Sequence, residues 1–209
     1  QDKPPALIKA ETGKWIDAAA VADPATADST KVVKSGTSAD RTKILLTFEA
    51  GATTNKDPLD GGTISASAFL VNGANPVAAA WFDLSGTDKN AVAYEFRNLV
   101  VLTVPTMLSS DKPTVAIAGT IKDKAGNSLA AGPSITAVDT ISPKLTVALA
   151  GDVGTAGDQA NRPAATTNGK ITVTVTSDED LAAGTVPAVV SVGLIDDPAV
   201  AGQIIEGGI

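Results

Sequence analysis

Apolar residues in this chain come in short bursts, and where the bursts have a period it is two. Lys43-Ile44-Leu45-Leu46-Thr47-Phe48 is a compact, partly β-branched run ended by Gly51. Residues 91–97 alternate, with Val92, Tyr94 and Phe96 on one face and Ala93, Glu95 and Arg97 on the other. Residues 99–104 form a further apolar run, ended by Pro105. Over 114–121, Val115, Ile117 and Ile121 share a face, and Gly119 marks a bulge or a close approach of backbone. Residues 145–149 and 171–175 are again short and alternating. In Ile171-Thr172-Val173-Thr174-Val175 the aliphatic residues face in and the threonines face out.

Turn residues separate these runs. Asn72-Gly73 and Asn168-Gly169 are the strongest signals, because a two-residue hairpin turn needs positive φ at both central positions. Asp60-Gly61-Gly62 and Ala125-Gly126-Asn127 are weaker cases of the same kind. Prolines lie between the runs and block helices. No segment sustains a period of 3.6. Ala18-Ala19-Ala20-Val21-Ala22 and Ser109-Ser110-Asp111 reach one helical turn at most. The pattern predicts an all-β sandwich or barrel.

The chain also repeats itself. Pro4-Pro5-Ala6-Leu7-Ile8-Lys9-Ala10, reaching Gly13, is echoed by Ser142-Pro143-Lys144-Leu145-Thr146-Val147-Ala148, reaching Gly151. An aspartate leads each segment, Asp2 and Asp139. Lys43-Ile44 then opens a strand in the first copy and Lys170-Ile171 in the second. Two domains are therefore expected, 1–139 and 140–209, with the second holding about the first half of the strands. Three readings of that short second copy are open: a cut, a half-sandwich that accepts a strand from a neighbour, or a smaller domain.

At this point two motifs carry a resemblance. Asp123-Lys124-Ala125-Gly126-Asn127-Ser128-Leu129 resembles the D-x-A-G-N-x-L signature near the end of bacterial Ig-like domains. Asp139-Thr140-Ile141-Ser142-Pro143 resembles the D-T-x-x-P junction that opens the next domain of such arrays. Residues 43–71 are similar to their early part, with a strand, an acidic loop, and F-x-V at Phe69 to Val71. The resemblance covers most of 40–145 and implies tandem Ig-like β-sandwich domains. Such modules occur in S-layer proteins, adhesins, invasin-like proteins and secreted glycosidases. The first copy departs from the pattern by an insert-like loop over 15–41. The signature also reads physically: Gly126-Asn127 takes a tight turn, Asp123 caps it, and Leu129 returns to the core.

Composition narrows the chemistry. The 209 residues include no Cys and no His. That excludes a Ser-His-Asp triad, a cysteine nucleophile, a thiolate or imidazole zinc site, and any disulfide framework. Only 3% of residues are aromatic, and much of the 44% hydrophobic fraction is alanine. The formal charge of -7 argues against a nucleic-acid or anionic-membrane partner. No apolar run is long enough for a membrane span. The chain starts at Gln1 without a signal-peptide core, so it reads as processed or as a piece of something longer.

Calcium is the first metal candidate, because Ca²⁺ takes six to eight oxygen ligands and needs neither His nor Cys. Candidate ligands are Asp123, Asn127, Asp139, Asp178 and Asp180, with Asp152, Asp158, Glu179, Asp196 and Asp197 as further carboxylates at strand ends. In a tandem array a metal between the linker aspartate and the preceding turn would stiffen the joint. The bland alternative is that these carboxylates cap backbone amides, and no EF-hand spacing is present. Asp178, Asp180, Asp196 and Asp197 could in principle pair for glycoside hydrolysis. Few aromatic platforms exist for a sugar, however: Trp81-Phe82 reads as core, and Trp15 sits in the N-terminal loop, where it could be exposed. Ser109-Ser110-Asp111-Lys112 fits S-x-x-K but, before Pro113, reads as a turn. No Walker A motif, dinucleotide fingerprint or N-x-[S/T] sequon occurs.

Together with this composition, the resemblance implies a non-catalytic structural segment of an exported bacterial cell-surface assembly: an S-layer, a surface filament or a stalk. Expected partners are identical subunits through sandwich faces and edges, and cell-wall or surface glycan. The rivals are an adhesive module that binds glycan or protein, and an accessory domain of a secreted hydrolase.

Overall fold

The computed structural model describes residues 4–35, 41–49, 57–107, 111–150, 172–179, 181, 192–193 and 206–207. The chain divides into two compact units, Gln1–Ser142 and Pro143–Ile209. Both are built from strands. Among the described residues the only helical pieces are short 3₁₀ turns, such as Ala18–Val21 and Ser29–Lys31. No described helix is long and apolar enough to cross a membrane.

The first unit contains thirteen described strands. They are β1 (Ala6–Thr12), β2 (Lys14–Ile16), β3 (Val33–Ser35), β4 (Lys43–Glu49), β5 (Phe69–Val71), β6 (Ala78–Trp81) and β7 (Ser85–Thr87). After them come β8 (Ala93–Glu95), β9 (Leu99–Thr103), β10 (Thr114–Ile117), β11 (Ile121–Lys122), β12 (Ser128–Leu129) and β13 (Ser134–Thr136). The main sheet has the order β1-β4-β9-β6 and the second the order β13-β10-β5. All ladders in both are antiparallel. β4 and β9 form the spine, with Ile44 opposite Leu102 and Leu46 opposite Val100.

One core lies between these two sheets. Ala10, Ile44, Leu46, Phe48, Val100 and Leu102 from the main sheet meet Phe69, Val115 and Ile117 from the second. Leu59, Ile121 and Ile141 close its ends. Gly119 is the close approach that its place in the pattern predicts. A Cβ there would come within 3.2 Å of the Ala68 backbone. Asn72-Gly73 is the tight turn expected of it, with φ of 49° and 84°.

The insert-like segment departs from expectation. Instead of looping away, it covers the other face of the main sheet. β2 pairs with β3, and Ile16, Val21, Ala27 and Val32 bury against Leu45 and Val101. Tyr94 and Phe96, stacked at 5.7 Å, complete this second core. Trp15, which its loop position would leave exposed, is half-buried there. Val92, just before β8, is 51% exposed and does not join Tyr94 and Phe96 in that core. β4 and β9 are consequently buried on both faces. Ile44, Leu45 and Leu46 are all at most 3% exposed, and Val100, Val101 and Leu102 at most 5%. Continuous apolar runs are the sequence form of such a strand, where one-sided burial would have left alternation.

The second unit contains β14 (Leu145–Ala150) paired antiparallel with β15 (Thr172–Ser177), and β16 (Val192–Gly193) paired with β17 (Glu206–Gly207). The Asn168-Gly169 turn lies outside the described residues.

Two-sided burial has a measurable consequence. Leu45→Ala, on the insert side, is expected to cost about 2–5 kcal/mol, the same order as Leu46→Ala on the inter-sheet side. Urea unfolding of the two variants checks this. A Leu45→Ala cost well below that of Leu46→Ala would mean that the insert does not pack as a layer.

Candidate functional site

Asp123 is a carboxylate that the fold removes from water. It follows β11 and is 1% exposed. Its Oδ1 accepts from the Asn127 backbone N–H at 2.8 Å and its Oδ2 from Asn127 Nδ2 at 2.9 Å. The Gly126 N–H reaches the Asp123 carbonyl at 3.0 Å, with Gly126 at φ 90°. The Asp123 cap is as the motif implies. Leu129 packs partly buried against the main core. Residues on either side tie the turn to the preceding loop: Lys124 N–H donates to Pro58 O and Asp60 N–H to Lys122 O.

Asp139 serves a different joint. Its Oδ1 accepts from Thr12 Oγ1 at 3.3 Å and from the Ile141 N–H at 3.0 Å. The Thr140 N–H donates to Thr12 Oγ1 at 3.2 Å, and Thr140 Oγ1 donates to the Thr12 carbonyl. Thr12, fully buried, thus holds the Asp139-Thr140 junction against the end of β1. Asp178 lies in the second unit, where its Oδ1 accepts from the Lys144 N–H at 2.7 Å. Asp180, Asp152, Asp158, Asp196 and Asp197 lie outside the described residues, as do Ser109 and Ser110.

These placements bear on calcium. Asn127 turns a donor, Nδ2, toward Asp123, and both carboxylate oxygens already hold N–H groups. Asp123 and Asn127 so arranged do not fit a Ca²⁺ pocket, which needs several oxygens facing one point. Among the described residues no three acidic side chains gather.

Three further carboxylates carry structural weight that the sequence reading missed. Asp88 is 6% exposed. It accepts from Ser29 Oγ at 2.8 Å and from the Ser29, Asn90 and Val92 N–H groups, so it joins the insert to the β7–β8 turn. These donors, the Ser29 hydroxyl first, hold its carboxyl below the usual range. The same turn places Ala91 at φ 60°, a left-handed conformation that costs a non-glycine residue energy. Asp28 accepts from Thr30 Oγ1 at 2.6 Å and pairs with Lys31 at 3.1 Å. Those contacts, the Thr30 hydroxyl first, lower it to about 2. Burial alone would raise the Glu11 carboxyl, but Lys14 at 2.7 Å and Lys9 at 2.9 Å outweigh it and hold the group low. The available signal for Asp88 is local: an Asp two residues before an Asn in a turn. Nothing local points to Ser29.

Clefts open among the described residues of the first unit. One of ≈ 470 Å³ lies beside Val71, Asn72, Asn75, Val104, Met107 and Lys112. Its amides are engaged: Asn72 Oδ1 accepts from Thr114 N–H, and Asn75 Nδ2 donates to Phe69 O and Ala66 O. Another, ≈ 480 Å³, lies beside Ile8, Phe48, Glu49, Phe96, Asn98 and Leu99. Asn98 Oδ1 is buried there without a partner among the described residues.

Lowered carboxylates fix the sign of the pH response. A group whose folded pKa lies below its unfolded value of about 4 stabilises fully above that pH. The stabilisation disappears as pH falls through the folded pKa, about 2 for Asp28. The melting midpoint should therefore drop on acidification from about pH 5 to pH 2, and Asp28→Asn should flatten that slope. An unchanged slope would refute the assignment. Asp123→Ala, which strips an acceptor from the Asn127 N–H, should cost about 1–3 kcal/mol in urea unfolding. Comparison with family models, with curated proteins and with solved structures finds no match to this chain, so a functional reading stands on these residues alone.

Proposed function

We propose that this chain is a structural, self-associating segment of an exported bacterial cell-surface assembly, built from Ig-like modules in tandem. The observation that carries this reading is a division of labour between polar and apolar groups. Asp88, Asp123, Asp139 and Asp178 all hold backbone N–H groups and fasten turns and junctions. Meanwhile Ile8, Leu145 and Val147, on strands, and Val77, beside β6, stand 46% to 70% exposed. Carboxylates arranged this way stiffen a scaffold, and apolar side chains on strands offer contact area at low desolvation cost.

The tandem reading draws support from the internal repeat. The repeated segments are β1 and β14, and each pairs antiparallel with the strand that follows its loop, β4 and β15. Two sheets around one core suit an Ig-like module, while the layer formed by the insert goes beyond it. Surface location and lattice membership come from the resemblance and the composition.

Sedimentation velocity of the full chain over a wide concentration range, with electron microscopy of the same samples, tests the proposal. Concentration-dependent assemblies that form sheets or filaments are the expected result. A chain that stays monomeric at every ionic strength and binds a soluble glycan tightly would overturn it in favour of the adhesive module.

A further inference from the structure

We propose that the insert is a strap latched at one joint, Ser29 on Asp88, and that acid opens this latch and lifts the strap off the main sheet while the two-sheet core stays folded. The inference concerns the first unit alone and does not depend on self-association.

The strap is its own small body. β2 and β3 form a separate two-stranded sheet that shares no ladder with β4 or β9. Its inner bonds are local: the Asp17 N–H donates to Val32 O and the Asp28 N–H to Ala20 O, both at 2.8 Å. What it lays on the main sheet is Ile16, Val21, Ala27 and Val32, a modest apolar area. A two-stranded piece with so little to bury is marginal without a fastening.

That fastening is concentrated. Beyond its root at Lys14, which pairs with Glu11 of β1, the strap's polar contacts with the rest of the unit, among the described residues, all fall on the β7–β8 turn. Asp88 Oδ2 accepts from Ser29 Oγ at 2.8 Å and from the Ser29 N–H at 3.3 Å. The Lys89 N–H donates to Ala27 O at 3.0 Å, and Lys89 Nζ lies 3.9 Å from Asp28. The root is a plausible pivot, because Gly13 stands between β1 and β2 at φ 71°.

The charges at this joint are Asp88 and Lys89 from the turn and Asp28 and Lys31 from the strap. Protonation of the two aspartates weakens the bonds to Ser29 and leaves two lysines without their counter-charge. The hydrogen bonds that hold both carboxyls low, Ser29's hydroxyl at Asp88 and Thr30's at Asp28, contribute fully above about pH 4. Their contribution is lost as pH falls through the folded values, about 2 for Asp28. Glu11, held low by Lys9 and Lys14, responds with the same sign at the root. Opening would uncover Leu45 and Val101 and leave Ile44, Leu46 and the inter-sheet core in place.

The chain has two tryptophans, one on each side of this division: Trp15 packs in the strap layer and Trp81 on the main core. Trp81→Phe and Trp15→Phe therefore isolate one reporter each. On titration from pH 5 to pH 2, Trp15 emission should shift to the red at a higher pH than Trp81 emission. Hydrogen exchange of the unsubstituted chain reads the same order without a variant, with 14–35 losing protection before 99–104. At pH 7, Asp88→Asn should lower protection over 14–35 roughly tenfold and leave 99–104 unchanged. Ser29→Ala reads the latch from the strap side, and the double variant should lose little more than Asp88→Asn alone. Coincident transitions of the two tryptophans, or a Trp15 that stays buried down to pH 2, would overturn the acid release. Unchanged protection over 14–35 in both single variants would overturn the assignment of the latch to Ser29 and Asp88.

Discussion

Everything in the first unit follows from one constraint: the β4–β9 pair must be dry on both faces. Its register sets Ile44 against Leu102, Leu45 against Val101 and Leu46 against Val100, and none of these six side chains tolerates water. Alternation sends Ile44 and Leu46 to one face and Leu45 to the other, so a single partner layer cannot serve both. The second sheet covers one side. The other side needs material that a simple two-layer unit lacks, and the insert supplies it. A buried Leu or Val contributes roughly 1.5–3 kcal/mol, so an uncovered face would forfeit much of the margin by which a domain is stable.

That demand explains where the carboxylates sit. A cover made of 3₁₀ turns and three-residue strands has few backbone ladders of its own, so side chains must hold it. Asp17 and Asp28 cap its two short turns through the Ala19 and Thr30 N–H groups. Asp88 reaches across from the β7–β8 turn to Ser29. Asp123 and Asp139 do the corresponding work for the signature turn and for the exit from the unit. A carboxylate with two or three N–H donors is worth more as a clamp than as a free ligand, because freeing it would leave those donors unpaired.

Sequence pattern reveals the part of this that is local. Ile44-Leu45-Leu46 and 99–104 announce strands by composition, and Asn72-Gly73 and Asp123–Asn127 announce turns because all the needed residues lie within a few positions. The insert hides because Ile16, Val21, Ala27 and Val32 keep no period; irregular backbone turns them toward one face, and no template of 2 or 3.6 detects that. Alternation in 91–97 overreaches at Val92, which lies before β8, next to the turn at Ala91, and stays exposed. Thr12–Asp139 and Ser29–Asp88 bridge separations of 127 and 59 residues. Neither partner carries a local sign of the other. The same limit applies to function: carboxylates at strand ends look alike in sequence whether they await a metal or cap an amide, and only the donors around them tell the two apart.

Edge management also bears on what kind of assembly such a chain can make. The Val138 segment covers the later half of β1, and β13 flows into that closure. Pairing through a single self-complementary edge closes after two copies, because each partner occupies the other's only site. A sheet or filament therefore needs a second, different contact. Within this chain the exposed Leu145 and Val147 of β14, on a two-stranded ribbon, are apolar surface of the right kind. Such a ribbon is marginal by itself in water and gains stability when its apolar face is covered. An assembly built from one closed pairing and one such contact would grow from dimers.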